Sequence, residues 1–93
     1  MKYVILRHLT TGALEPVFCL TPMSHADLAG AFHRTHAPAS AGFCDKQLSG
    51  RWRVSGRSSS LNLGPAEGDA LLIEVIARST LLLDPELNPG AAA

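Results

Sequence analysis

Three arginines and three histidines are the residues whose types and spacing could do chemistry in this chain. Arg51, Arg53 and Arg57 recur at odd positions through GRWRVSGRS. Side chains alternate between the faces of an extended strand, so the three guanidinium groups fall on one side. A row of planar donor forks suits phosphate or carboxylate, which opens a reading as a nucleic-acid or anionic-ligand binder. Trp52 alternates with the arginines and falls on the opposite, core-facing side. A base-stacking platform needs an aromatic among the cations, and this face has none. The formal net charge is zero, so no long-range field draws the protein to a polyanion. Nucleic acid is not an expected partner.

His25, His33 and His36 lie on or beside a single helix-like segment. His33 and His36, three apart, could sit on adjacent turns, and Cys19 or Cys44 could complete a tetrahedral zinc site with them. Against this, the chain has no C-x-x-C and no H-E-x-x-H, and Pro38 turns the residues before it away from helix. The alternative is a His25 held near the core by a hydrogen bond, with two solvated histidines. Catalytic signatures are missing too. Ser58-Ser59-Ser60 lacks the G-x-S-x-G frame, and there is no Walker loop or dinucleotide fingerprint. We expect no cofactor and no catalysis.

The elements that must position these residues are legible in outline. Lys2–Arg7 (KYVILR) reads as a buried strand and Pro16–Leu20 as its hairpin partner. Ser24 is a good N-cap for a first helix running to about Thr35, with Asp27 in its first turn. Ala39–Asp45 is a third strand. Arg51 to about Leu63 is a fourth, bent at Gly56. Pro65 opens a second helix that runs to about Arg78, with Glu74 and Arg78 as an i, i+4 pair on its wet side. Thr80–Leu83 is a short strand or docked extension. The fold class is α+β in the order β-β-α-β-β-α, a mainly antiparallel sheet with two helices on one face. Residues 1–84 form a single domain and residues 85–93 a flexible C-terminal tail.

Composition bears on assembly. Apolar residues make up 46% of the 93-residue chain and charged residues only 17%, which opposes disorder and leaves more apolar surface than a small core can hide. Residues 1–57 carry seven basic and three acidic side chains, and residues 58–93 one basic and five acidic, a balance of +4 against −4. These halves neutralise each other within one fold or across subunits. No apolar run nears the roughly 20 residues needed to span a bilayer, and no signal-like start is evident. No membrane partner is expected. A cytoplasmic location with reduced cysteines is.

The second helix carries the strongest lead. Its apolar positions, Leu71 through Ile73 and Val75 through Ala77, span about 240°, well beyond the ~100° stripe that one sheet contact needs. A helix apolar this far round is buried on more than one side. The cover could come from the first helix, from Leu81–Leu83, from another protein or from a second copy. Two-fold homodimers are the commonest oligomer, and the expectation is a homodimer with Leu72, Val75 and Ile76 at its interface.

Three stretches also carry a resemblance: Ser40-Ala41-Gly42-Phe43, then Val54 through Leu63 (VSGRSSSLNL), then Asp69-Ala70-Leu71-Leu72-Ile73. With KYVILRH at the start and SHADLA in the first helix, the chain resembles small uncharacterised proteins of proteobacteria, some of them phage- or prophage-associated. The resemblance brings no activity and no functional residues. It implies an accessory bacterial or phage protein that acts by binding.

Overall fold

The computed structural model describes residues 1–19 and 23–83, with side chains through Ala77. Its elements are β1 (Lys2–His8), β2 (Leu14–Cys19), α1 (His25–Gly30), β3 (His36–Lys46), β4 (Trp52–Ser55) and α2 (Asp69–Leu83). The four strands form one antiparallel sheet in the order β2-β1-β3-β4. This is the α+β class and element order that the sequence predicts. The predicted tail, residues 85–93, and Leu20 of the second strand lie outside the described residues.

The helices do not share a face. Tyr3, Val4, Ile5 and Leu6 of β1 are all buried, so this central strand is covered on both sides. Val4, Leu6 and Ala41 pack with Leu28 and Ala29 of α1. Tyr3, Ile5 and Cys44 pack with Ile73 of α2. Strand alternation separates the two sets, and the helices take opposite sides of the sheet. A continuous run of buried residues in a strand is the mark of such two-sided cover.

Several boundaries move for local reasons. Ser24 caps α1, its hydroxyl accepting from the Asp27 N–H at 3.0 Å. The helix ends at Gly30, short of Thr35. The chain then tightens into turns in which Phe32, His33 and Thr35 each donate to the carbonyl three residues back. β3 begins early, at His36, and contains Pro38. Its register against β1 slips between Ile5 and Leu6, a bulge that leaves Ala39 outside the pairing beside a proline that has no N–H to give.

β4 stops at Ser55 because Gly56 takes φ +69°, and a Cβ there would stand 2.8 Å from the Phe43 ring. Beyond it the chain folds back on itself, with Ser58 bridged to Leu63 and a left-handed Asn62 in between. α2 opens at Asp69, not Pro65, and runs unbroken through Leu83. Thr80–Leu83 is therefore helix, not strand.

Gly42 allows the closest approach in the sheet. A Cβ there would lie 2.8 Å from the Ser55 carbonyl oxygen and 3.4 Å from the Tyr3 ring. Across that gap Tyr3 donates its phenol to Asp69 Oδ2 at 2.8 Å, and the Ala66 N–H donates to the same oxygen at 2.9 Å. This buried latch fixes the start of α2 to the centre of the sheet.

Candidate functional site

The arginines are dispersed. The Arg51 Nε–H donates to Glu74 Oε1 at 2.9 Å, Arg53 reaches Asp45 at 3.5 Å, and Arg57 donates to Asn62 Oδ1 at 2.7 Å. Each guanidinium is turned to a different part of its own chain, and the three do not converge. Glu74 also accepts from the Trp52 N–H at 2.9 Å. Its carboxylate thus ties α2 to β4; the side chain of Arg78, its expected i, i+4 partner, lies outside the described residues.

The histidines are dispersed as well. His25 is buried, with its Nε2 at 2.8 Å from the Gly42 carbonyl oxygen and its ring edge-on to Phe43. His33 Nδ1 lies 2.8 Å from the carbonyl of Gly30. His36 contacts Glu15 at 3.2 Å and stacks edge-on against His8. Among the described residues no three His, Cys, Asp or Glu side chains are grouped to hold a metal ion. α1 ends at Gly30, so His33 lies in the turns beyond it and His36 opens β3, and the helical turns that would have set those two side by side are not there.

Cys19 and Cys44 are both free thiols. Cys19 packs with the α1-side cluster and Cys44 with the α2-side cluster, so the sheet stands between them. Burial, above all, pushes the Cys44 thiol pKa up, with Asp45 adding to it and the terminal amine opposing. A thiol reagent at mild alkaline pH should therefore modify Cys19 and spare Cys44. One equivalent is expected from the native protein and two after denaturation. Two fast equivalents under native conditions would contradict this burial.

The sheet edges are guarded. The His8 N–H donates to the Ala13 carbonyl, and antiparallel bonding alternates, so Leu14, Pro16 and Phe18 of β2 turn their backbone groups outward. Pro16, in the middle of that row, has no N–H to offer. On the other edge the Gln47 N–H donates to the Arg51 carbonyl, which turns Trp52 and Val54 outward. There the Glu74 carboxylate already holds the Trp52 N–H. Prolines and inward-reaching charges are the usual devices against strand addition.

What remains is the outer side of α2. Ile73 is wholly buried and Leu72 is packed against the core, while Leu71, Val75 and Ile76 are 61%, 55% and 42% exposed. Of the predicted interface residues, Val75 and Ile76 face outward and Leu72 does not. Leu71 takes its place, four positions before Val75 on the same row. The wheel gave the width of the apolar arc. Its orientation depended on which residue the sheet would claim, and only packing shows that it is Ile73.

Beside this row, between α2 and the end of the sheet, lies a groove of about 310 Å³. Met1, Phe18 and Trp52 form one wall and Ile73, Ile76 and Ala77 the other, with Lys46 as the charged residue among them. Neither Lys46 nor the groove had a sequence signal, because its walls come from four separate elements.

No helix among the described residues is long and apolar enough to cross a membrane. No family model, no curated protein and no solved structure matches the chain.

Proposed function

We propose that this protein is a small non-catalytic interaction module that pairs with a second copy of itself through the outer face of α2. The supporting observation is the exposed apolar pair Leu71 and Val75, with the less exposed Ile76 at its flank, on a helix whose opposite side from that pair is already anchored by Ile73. Water-facing rows of large aliphatic side chains mark contact surfaces. The guarded strand edges favour face-to-face contact over sheet extension. A two-fold axis brings the same helix of each copy together, and so covers both rows with one contact.

Light scattering on a sizing column tests this. The expected mass is about twice 9.8 kDa. Val75→Glu places a charge at the centre of the row and should return the monomer with its circular dichroism unchanged. A monomeric wild-type protein at tens of micromolar would overturn the reading.

A further inference from the structure

We propose that the groove between α2 and the sheet end binds a medium-chain carboxylate, an aliphatic tail of roughly eight to ten heavy atoms ending in one anionic head. Its walls are the apolar side chains of Met1, Phe18, Trp52, Ile73, Ile76 and Ala77. Its volume of about 310 Å³ sits at the small end of ligand pockets. At the ~30 Å³ that a water-sized group occupies in a liquid, it holds about ten such groups.

Charge decides the head group. Lys46 is the charged side chain of the lining, and among the described residues it belongs to no ion pair. Its neighbours do not compete for it, because Asp45 holds Arg53 and Glu74 holds Arg51. An apolar slot whose lining among the described residues includes the unpaired Lys46 is matched by a molecule that is apolar along its length and anionic at one end. A neutral alcohol of equal length loses the head contact, and a short, strongly charged anion loses the walls.

The inference does not depend on self-association, although Ile76 borders both surfaces. Trp52 is the single tryptophan of the chain and forms part of the wall, so its fluorescence reports occupancy directly.

Hexanoate, octanoate, decanoate and dodecanoate are titrated into the full chain below their micellar concentrations, with decanol as the neutral control. The expected result is a saturable change in Trp52 emission. Affinity should rise about fourfold per methylene, as each buried methylene contributes. The rise should stop near decanoate, where the slot is full. Decanoate should bind a few-fold more tightly than decanol, and Lys46→Met, which removes the charge but keeps an aliphatic stem in the lining, should erase that difference.

No saturable change at any length overturns the proposal, as does affinity that keeps climbing through dodecanoate or equal binding of acid and alcohol. Repeating the titration on Val75→Glu separates the occupants. Binding by that variant alone would mean that a second copy fills the groove, which refutes the ligand but not the dimer.

Discussion

Ile73→Ala should destabilise the protein by about 2–5 kcal/mol, the range for truncating a buried aliphatic side chain to alanine. Ile73 is wholly buried and sits among Tyr3, Ile5 and Cys44, with Phe18, Trp52, Val54 and Leu72 packed around it. Truncation removes the buried methylenes and leaves a hole that a sheet on one side and a helix on the other cannot both close. A domain of this size has about 5–15 kcal/mol in total, so the loss is a large share of it. At about 4–8 °C per kcal/mol, the melting temperature should fall by roughly 10 °C or more. Urea unfolding should show a lower midpoint with an unchanged slope. Leu48→Ala, at a fully exposed turn, is the control and should change stability by less than about 0.5 kcal/mol. Equal effects of the two substitutions would show that α2 is not seated as described.

Asp69→Ala should be nearly as damaging, for a different reason. The Asp69 carboxylate accepts from the Tyr3 phenol and from the Ala66 N–H, and all of its packing is internal. Its removal leaves a buried hydroxyl and a partly buried amide without an acceptor, each costing about 1–3 kcal/mol. Asp69→Asn keeps an acceptor oxygen and should cost less.

The same latch sets an alkaline limit on the fold. Burial first, then the hydrogen bond to Asp69 and the charges of Asp69 and Cys44, hold the Tyr3 phenol pKa far above its ordinary value. The folded chain therefore favours the neutral phenol, while the unfolded chain ionises it near pH 10. The stabilisation is fully present below about pH 10 and is lost as pH climbs beyond it. Tyr3 is the only tyrosine, so tyrosinate absorbance reads it alone. Absorbance should stay flat through pH 10 and then appear together with loss of circular dichroism. A normal phenol titration in a protein that remains folded would refute the latch.

The local sequence determined the class of elements and much of their placement. KYVILR had to be strand, Ser24 had to cap a helix, and the apolar arc of 71–77 had to be helix. These follow from near-neighbour physics: alternation, capping and periodicity act within a turn or two. The fourth strand and the first helix came out too long because Gly56 and Gly30 each end an element where the apolar pattern continues.

Tertiary structure decided the rest. That β1 is buried on both faces was written in Tyr3–Leu6, yet the placement of one helix on each face appears only when Leu28 and Ile73 are seen on opposite sides of it. The arginine row dissolved because Glu74, Asp45 and Asn62, at sequence distances from 5 to 23, claimed its members one by one. Such pairings depend on where distant segments meet, and no local pattern encodes that. The groove at Trp52 is the extreme case: residue 1 and residue 77 share its lining. The apolar arc of the second helix already announced more apolar surface than one sheet contact could cover. Folding settled which part stays in water, because the sheet could take only the side that carries Ile73.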